Sequence, residues 1–296
     1  MTIARGAQKQ THCISFDVEE HFQVSAFDSP QLRSNWDHCV SRVERNVEKI
    51  IQLLSERRTV ATFFVLGWVA ERHPSLITRL VAAGHEVASH GYAHQMITMQ
   101  TPAVFREDVR KAKAVLEDLI GRPVVGYRAP SFTITSKTKW ALPILVQEGY
   151  RYDSSIMPVL HDRYGLPGAD PWCHEIATES GVIWEVPPST SSFLGWRVPV
   201  AGGGYFRFFP YAVLKMFLKQ IEARDKPLVM YLHPWEFDPA QPRMSGSWLS
   251  EFRHYLNLDK TEGRLELLLQ DFRFGPIRDL LQEIRAGRSS NSIPSL

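Results

Sequence analysis

The chain has 296 residues, and its 34 Lys and Arg residues against 32 Asp and Glu residues leave a net charge of +2. A composition of 44% hydrophobic and 22% charged residues is typical of a soluble globular protein, and the length suits one barrel-sized domain or two smaller ones. The near-neutral charge gives no reason to expect a nucleic-acid partner, and no run approaches the roughly 20 apolar residues of a transmembrane helix.

The N-terminus and the cysteines indicate the compartment. The first ten residues are polar and lack the apolar region of a signal peptide. Cys13, Cys39 and Cys173 are odd in number and widely spaced, which argues against a disulfide framework or a zinc-type cysteine pair. We therefore expect a reduced, cytoplasmic protein. Nothing in the sequence indicates its oligomeric state.

Strand and helix patterns alternate along the chain. Apolar, β-branched and aromatic runs predict strands at Cys13–Val18, Val60–Leu66, Glu86–Ala88, Val124–Tyr127, Tyr150–Tyr152, Val182–Val186 and Leu228–Leu232. Helical spacing and stop signals predict helices at Ser41–Arg57, Leu76–Ala83, Thr101–Ile120, Lys137–Glu148, Tyr211–Ala223, Glu262–Gln270 and Ile277–Arg285. The helix at Thr101 has the clearest bounds, with an N-cap threonine before a proline and Gly121 at its end.

Two stretches interrupt this alternation. Leu160–Glu179 contains several glycines and prolines and is predicted to be a long irregular loop. Pro199–Pro210 contains three consecutive glycines followed by aromatic residues. The second stretch is either a flexible loop facing a substrate or a tight connection packed on the domain, and the sequence leaves both open.

Repeated strand–helix units predict parallel strands covered by outer helices. A closed or nearly closed barrel is favoured over an open sheet, because no Gly-rich phosphate loop follows the first strand and the chemically active residues all follow predicted strands. Barrel enzymes carry their active sites at the carboxyl ends of their strands. The residues in such positions are Asp17, Glu19, His90, Arg128, Asp153 and His233.

Asp17 and Glu19 point to the same side of the first strand, since side chains alternate along a strand and Val18 faces the other way. His90 and His94 are separated by three residues, a spacing that brings two imidazoles to one face of a helix or of a tight turn. Two histidines and one carboxylate are a donor set for a divalent metal that leaves positions open for water and substrate. Each pair alone also fits a solvated strand end or two surface histidines.

Two further residues offer proton transfer and electrostatic support. His233 follows an apolar strand and stands before Pro234, within a cluster of polar and aromatic residues that indicates a pocket rather than a core histidine. Arg128 has the geometry to grip a carboxylate with two parallel hydrogen bonds, its alternative being a surface salt bridge.

Taken together and in order, five motifs resemble the NodB-type polysaccharide deacetylases, which form carbohydrate esterase family four. The motifs are SFDVEE (15–20), SHGYAH (89–94), YRAPSF (127–132), YDSS (152–155) and YLHPWEF (231–237). Further segments resemble one subgroup of this family, the deacetylases found in exopolysaccharide loci with exosortase (PEP-CTERM) systems. These segments include TFFVLGWVAERHP (62–74), GGGYFR (202–207) and FRHY (252–255). The resemblance implies a distorted (β/α) barrel over residues 12–238 and a C-terminal helical extension over 239–286. We expect residues 287–296 to be a disordered tail.

By position, the resemblance implies Asp17 as the base, His90 and His94 as metal ligands, Arg128 as the residue that orients the base, and His233 as the general acid. It also implies that Asp153 tunes His233. The family motif has two adjacent aspartates, but Val18 takes the second position here and has no ligand atom. An Asp-x-Asp form of the motif, found in allantoinase-like peptidoglycan deacetylases, makes Glu19 the third ligand, with Glu20 as the fallback. We further expect substrate contacts from Tyr92, Pro130, Phe132, Tyr205, Leu232 and Trp235.

The implied function is metal-dependent removal of N-acetyl groups from N-acetylhexosamine residues of a polysaccharide or oligosaccharide, in the cytoplasm and in association with membrane-bound exopolysaccharide assembly. Zn²⁺ is the first expectation for the metal, but a site of two histidines and a carboxylate also accepts Co²⁺, Ni²⁺, Mn²⁺ or Fe²⁺. Two alternatives stay open. One is an allantoinase-like hydrolase of small amides or ureides, and the other is a polysaccharide-binding protein without activity.

Overall fold

The computed structural model describes residues 11–160 and 164–291, the last five of them by their backbone alone. The strands are β1 (His12–Val18), β2 (Thr62–Val65), β3 (Glu86–Ser89), β4 (Gly126–Tyr127), β5 (Tyr152–Asp153), β6 (His174–Thr178), β7 (Gly181–Glu185), β8 (Thr190–Phe193), β9 (Trp196–Pro199), β10 (Val229–Leu232) and β11 (Phe274–Gly275). The helices are α1 (Pro30–Ser34), α2 (Val43–Glu56), α3 (Gly67–Arg72), α4 (Pro74–Ala82), α5 (Pro102–Ile120), α6 (Ala141–Gln147), α7 (Gly203–Phe208), α8 (Tyr211–Glu222), α9 (Trp248–Tyr255), α10 (Thr261–Asp271) and α11 (Ile277–Asn291).

The strands form a largely parallel sheet in the order β10-β1-β2-β3-β4-β5-β7-β6, with β11 pairing beside β1. Among the described strands of this sheet β6 alone runs antiparallel, as a hairpin with β7, while β8 and β9 form a separate antiparallel pair. Backbone hydrogen bonds close the gap between the two ends of this sheet: Ser189 N donates to Val229 O at 3.0 Å, and Tyr231 N donates to Ala201 O at 3.0 Å. The result is a distorted barrel, as the sequence predicts, and the carboxyl ends of its parallel strands meet at one face.

Local sequence signals explain the best-defined helix. The Thr101 side chain accepts a hydrogen bond from Val104 N, Pro102 occupies the first turn, and Gly121 ends α5 with a left-handed φ of 65°. The buried positions of α5, which include Phe105, Val109 and Leu116, fall on one face. That face packs into the apolar core together with the buried residues of β1, β2 and β3. The bounds predicted for this helix are confirmed.

The two stretches predicted to be irregular contain regular structure. Strand β6 lies within Leu160–Glu179, and residues 161–163 of that stretch lie outside the described residues. The glycine run within Pro199–Pro210 begins helix α7 rather than a flexible loop. The first prediction was wrong because β6 forms a hairpin with the adjacent strand β7. For the glycine run the structure favours the packed connection over the flexible loop, because α7 packs against Glu236, which lies far along the chain.

The C-terminal part of the chain is joined to the barrel. Strand β11 pairs in parallel with β1, so the sheet extends beyond the expected boundary at residue 238. Residues 287–291, which we expected to begin a disordered tail, continue α11, and residues 292–296 lie outside the described residues. Among the helices described, none combines the length and hydrophobicity needed to cross a bilayer. The N-terminal ten residues, on which the expected compartment rests, lie outside the described residues.

Candidate active site

The carboxyl ends of the parallel strands open into a cleft of about 710 Å³. Asp17 and Glu19 from the end of β1, His90 and His94 from the segment after β3, and His233 after β10 all line it. The alternation argument for β1 is confirmed, because Val18 packs in the core with no exposed surface. Phe132 also lines the cleft, which is therefore the meeting point of four of the five sequence motifs.

Glu19, His90 and His94 form a buried trio whose ligand atoms all lie within 4.8 Å of one another. Glu19 Oε2 is 2.6 Å from His94 Nε2 and 3.9 Å from His90 Nε2. Although this oxygen is buried, no donor among the described residues reaches it in hydrogen-bonding geometry. A buried carboxylate oxygen without a donor is costly unless a cation uses it, so these residues fit a divalent metal.

Neighbouring groups set the orientation of His90 and the protonation states of His90 and Glu19. His90 Nδ1 lies 2.8 Å from the carbonyl oxygen of Arg128, so a proton on Nδ1 leaves Nε2 free to face Glu19. Burial lowers the pKa of His90 to about 4, which keeps the ring neutral near pH 7. Burial alone would raise the pKa of Glu19, but the nearby imidazoles, above all His94, outweigh it and lower that pKa well below its usual range. A neutral imidazole and an ionised carboxylate are the forms that bind metal.

The loop that carries the two histidines is shaped by backbone, not by a helix. Gly91 has a φ of 76° and His94 a φ of 49°, both in the left-handed region. Asp108 on α5 fixes this turn by accepting hydrogen bonds from Tyr92 N at 2.9 Å and Ala93 N at 3.3 Å. A side chain at position 91 would come within 2.7 Å of Asp108, so glycine is required there on both counts.

Glu20, the fallback ligand, has a different role. Its carboxylate accepts hydrogen bonds from Arg42 N at 3.0 Å and from Val43 N at 3.2 Å, and it contacts the Ser41 hydroxyl. These donors belong to the first turn of α2, where a negative charge is favourable. The geometry therefore leaves Glu19 as the carboxylate of the trio.

Asp17 is held by a buried guanidinium. Arg128 Nη1 donates to Asp17 Oδ1 at 2.6 Å and to the Ser15 hydroxyl at 2.9 Å. The remaining donors of Arg128 go to the carbonyl and hydroxyl oxygens of Ser154, at 3.1 Å and 2.8 Å. The grip on Asp17 is a single hydrogen bond rather than the expected pair, and the residue is fully buried rather than a surface salt bridge. Asp17 Oδ2 stays free to face the cleft, 3.8 Å from His233 Nε2.

The partner of His233 is Glu236, not Asp153. His233 Nδ1 lies 2.5 Å from Glu236 Oε1, and Glu236 Oε2 accepts from Arg207 Nε at 3.1 Å. Burial would lower the pKa of His233, but the hydrogen bond and charge of Glu236, with the charges of Glu19 and Asp17, raise it to about 9. The imidazole is therefore protonated near neutral pH and has its Nε2–H directed at the cleft.

The expectation that Asp153 tunes His233 is wrong in this structure. Asp153 lies against Glu185, the last residue of the neighbouring strand β7, and contacts the Ser155 hydroxyl. Burial raises the pKa of Asp153 to about 6, and burial together with the Asp153 charge raises the pKa of Glu185 well above its ordinary value. The two carboxyls share a dry site beneath Arg128, where one retained proton relieves their repulsion.

The predicted substrate contacts divide into two groups. Phe132, Tyr205 and Trp235 line the cleft. Tyr92 is directed away from it: its hydroxyl donates to Glu71 at 2.6 Å, and Lys111 Nζ lies 3.5 Å from the centre of its ring.

Pro130 and Leu232 are buried beneath the surface and do not line the cleft, so these two expectations and the one for Tyr92 are wrong. They failed because motif membership gives no information about which way each side chain of a short segment points.

Sequence reasoning missed several residues of the site. Glu185 lies at the carboxyl end of the predicted strand Val182–Val186, where the strand-end rule would have selected it. Glu236 stands three residues after His233 behind a proline, the spacing at which side chains align in a 3₁₀ turn. The opposite wall of the cleft comes from the C-terminal part of the chain, where sequence reasoning noted the FRHY segment but placed no site residue; the wall residues are Leu249, Phe252, Arg253 and Leu256.

Comparison with known proteins adds an independent line of argument. The family model described as "Polysaccharide deacetylase" matches residues 27–152, and a model described as a domain of unknown function (DUF3473) matches residues 154–282. The first range contains His90, His94 and Arg128, while Asp17 and His233 lie outside it. A protein of Helicobacter pylori named "Peptidoglycan deacetylase" is 28% identical over 129 residues, which are 44% of this chain and 43% of that protein. The match spans less than half the length of that relative.

Two solved structures share the fold. A Mycobacterium smegmatis protein assigned to the polysaccharide deacetylases is 20% identical, with a TM-score of 0.62 over 96% of this chain and 93% of the other. Puue allantoinase is 17% identical, with a TM-score of 0.63 over 98% of this chain and 94% of the other. At these identities the likeness describes the fold alone.

Proposed function

We propose that this chain, whose residues 27–152 form a polysaccharide deacetylase domain of the NodB type, is a metal-dependent hydrolase that removes acetyl groups from N-acetylhexosamine residues of a glycan. The observation that carries the proposal is the meeting of a base, a metal site and an acid in one cleft. His233 Nε2 lies 3.8 Å from Asp17 Oδ2 and 3.9 Å from Glu19 Oε1. Amide hydrolysis needs these three functions around one carbonyl carbon.

Glu19, His90 and His94 are the residues that would hold the metal, with Zn²⁺ as the first candidate. The donor set of two imidazoles and one carboxylate and the donorless oxygen of Glu19 both support this assignment. A bound divalent ion would supply Lewis-acid polarisation of the amide carbonyl and acidify a water molecule. Trp235 Nε1 donates to Glu19 Oε1 at 3.0 Å, which fixes the carboxylate so that Oε2 faces the two histidines.

Asp17 acts as the general base. Its hydrogen bond to Arg128 fixes Oδ1, so that Oδ2 is the oxygen that takes a proton from the attacking water. The buried positive charge of Arg128 compensates the carboxylate in a site from which water is largely excluded. The proton transfer therefore occurs at a defined atom on the floor of the cleft.

His233 acts as the general acid. Its Nδ1 is occupied by Glu236, so the proton that leaves is the one on Nε2, which faces the same space as Asp17 Oδ2. Expulsion of an amine requires a proton on the nitrogen, because an amide anion is a very poor leaving group. The raised pKa of His233, about 9, keeps that proton available at neutral pH. The products are acetate and a free amino sugar.

The cleft supports a sugar as the substrate. Aromatic rings line its walls, and rings of this kind form flat apolar platforms for the faces of pyranose rings. The lining aromatic residues are Phe132, Tyr164, Tyr205, Phe208, Tyr231, Trp235 and Phe252. We assign the glycan to exopolysaccharide assembly because the segments TFFVLGWVAERHP (62–74), GGGYFR (202–207) and FRHY (252–255) resemble the deacetylase subgroup found in exopolysaccharide loci.

The test is acetate release from N-acetylated hexosamine oligosaccharides. Metal-stripped protein is assayed with and without added Zn²⁺ or Co²⁺, and His90→Ala serves as the variant without a complete metal site. Metal-dependent release by the wild type and its loss in His90→Ala are expected. Turnover of small amides or ureides without acetate release from glycans would contradict the proposal and favour the allantoinase-like alternative. Glycan binding without any turnover of the metal-loaded protein would favour a binding protein.

A further inference from the structure

We propose that Glu236 and Arg207 are positioning residues for His233, and that the C-terminal end of helix α9 is what holds them in place. This inference deepens the proposed function and rests on His233 acting as its acid. Residues 239–282, the part of the DUF3473 match that follows the last sequence motif, thereby contribute to the reaction machinery of the barrel.

A continuous line of contacts joins His233 to Arg207. Glu236 lies between His233 and Arg207, with Oε1 2.5 Å from His233 Nδ1 and Oε2 3.1 Å from Arg207 Nε. Glu236 has no exposed surface and Arg207 is 2% exposed. A carboxylate gripped from both sides in a dry site has one orientation, and it passes that orientation to the imidazole.

The C-terminal end of α9 holds the side chain of Arg207. Its Nη1 donates to the carbonyl oxygens of His254 at 2.9 Å and Leu256 at 2.8 Å. These carbonyls belong to the end of α9, where a helix leaves its last carbonyl groups without partners and favours a cation. The guanidinium therefore connects the C-terminal end of a helix in the extension to the carboxylate behind His233.

The C-terminal extension also fixes the backbone of Arg207. Asn257 Nδ2 donates to Arg207 O at 2.9 Å, and Arg264 Nη1 donates to the same oxygen at 2.7 Å. Both donors come from residues beyond α9. Side chain and main chain of Arg207 are thus held by the same part of the chain, which limits the freedom of the guanidinium to turn away from Glu236.

The other face of the site is held in the same way. The Trp235 ring stacks on His233 at a centroid distance of 5.1 Å, and on its other side it stacks on His254 at 4.2 Å. His254 thus contributes its carbonyl to Arg207 and its ring to Trp235. Two independent contacts from one residue of α9 converge on the acid.

A buried Arg–Glu pair can also serve stability alone. The direction of the contacts separates the two roles. Glu236 bonds to Nδ1, the nitrogen remote from the cleft, so it decides where Nε2 points. A positioning role predicts lower kcat at nearly unchanged KM, because the substrate is still bound but the proton is misdirected. A purely structural role predicts fewer active molecules with normal kcat per folded, metal-loaded molecule.

The test compares Glu236→Ala, Glu236→Gln and Arg207→Met with Asp238→Asn. Asp238 lies on the same turn but pairs with Arg42, contacting its Nε at 2.5 Å, so it controls for disturbing a salt bridge at this place. We expect kcat per bound metal to fall about 10- to 100-fold in Glu236→Ala and Arg207→Met and less in Glu236→Gln, whose amide oxygen still accepts from Nδ1. Asp238→Asn is expected to keep kcat. Unchanged kcat per bound metal in Glu236→Ala would overturn the inference.

A crystal structure of Glu236→Ala supplies a readout that needs no turnover. The inference expects the His233 ring to leave its position opposite Asp17, whereas an unchanged ring would overturn it. If the wild type releases no acetate from any glycan, the proposed function fails while this structural readout still decides the positioning role. If Glu236→Ala does not fold, the same two readouts are taken on Glu236→Gln and Arg207→Met.

Discussion

Arg128 Nη1 lies 2.6 Å from Asp17 Oδ1, and neither residue has more than 1% of its surface exposed. Arg128 directly follows β4, and Asp17 lies near the end of β1. The pair therefore spans the barrel opening. Removing the guanidinium would leave a buried carboxylate without its counter-charge. The same hydrogen bond that orients the Asp17 carboxylate is therefore expected to stabilise the fold.

Replacement of Arg128 by Met is expected to lower the free energy of unfolding by about 3–5 kcal/mol, the usual cost of breaking a buried ion pair from one side. The measurement is chemical denaturation. Arg110→Met is the matched control, since Arg110 pairs with Glu148 at the surface, where solvent screens the pair and its loss is expected to change stability little. Equal losses in the two variants would contradict the structural importance of the buried pair.

Asp17→Asn, by contrast, is expected to retain bound metal and to lose about 10²- to 10⁴-fold in turnover.

Glu19→Gln and Glu20→Gln are expected to differ although the residues are adjacent. Glu19→Gln should abolish most of the rise in melting temperature that Zn²⁺ gives to the stripped protein, because binding to the folded state alone stabilises it in proportion to affinity. Glu20→Gln should keep that rise and instead lower the melting temperature without metal, since its carboxylate accepts from the first turn of α2. Thermal denaturation with and without Zn²⁺, together with metal content, tests both. A lost Zn²⁺ effect in Glu20→Gln would reverse the assignment of the ligand.

The Asp153–Glu185 pair is expected to make stability fall as pH rises. Burial raises the pKa of Asp153 to about 6, and burial with the Asp153 charge also raises the pKa of Glu185, so the folded state holds a proton that the unfolded chain releases near pH 4. The stabilisation is fully present below the ordinary carboxyl pKa and is lost as pH increases through about 6 and above. Urea denaturation between pH 4 and 8 should show that the stability of the wild type relative to Glu185→Gln decreases as pH rises, whatever slope the other titrating groups give to both proteins.

Glu148→Gln is the control for that pH series. Hydrogen bonding and the charge of two arginines lower the pKa of Glu148, so its contribution is lost as pH falls below the ordinary carboxyl pKa. This substitution should leave the slope between pH 4 and 8 in place. Parallel pH profiles of the wild type and Glu185→Gln would show that the pair carries no shared proton.

Gly203→Ala and Gly204→Ala are expected to have opposite effects on stability. A Cβ at Gly203 would lie 1.8 Å from Glu236 Oε1, whereas a Cβ at Gly204 meets nothing within 4 Å. Gly204→Ala should stabilise α7 by up to about 1 kcal/mol through helix propensity, and Gly203→Ala should destabilise by displacing the buried carboxylate. Denaturation of the two single variants is sufficient. A tolerated alanine at 203 would mean that Glu236 has room to move.

Much of the site was readable from local sequence because it depends on short-range geometry. Strand alternation is a property of the extended backbone, so Asp17 and Glu19 had to share a side once β1 was identified. The order of strands and helices predicted parallel strands whose carboxyl ends meet, and this brought His90, Arg128 and His233 to the same face. Capping at Thr101 depends on residues within one turn and was equally accessible.

The failures have a common physical origin in contacts between residues far apart in the chain. Asp153 was expected beside His233, but the register of β5 with β7 places it against Glu185. The glycine run reads as flexible in isolation, yet the carboxylate of Glu236 occupies the space that a side chain at 203 would need. No periodicity within either segment contains this information.

By itself the sequence predicted parallel strands with outer helices and placed Asp17, Glu19, His90, His94 and His233 at strand ends, because strand alternation and element order are local properties of the backbone. The roles expected for these residues came from the resemblance of the motifs to the deacetylase family. Only the tertiary structure decided which partner holds each of these groups. Arg207 reaches Glu236 because α7 and the end of α9 meet behind His233, about 50 residues of chain apart. Packing of distant segments sets the environment of a charge, and the environment determines its protonation and direction.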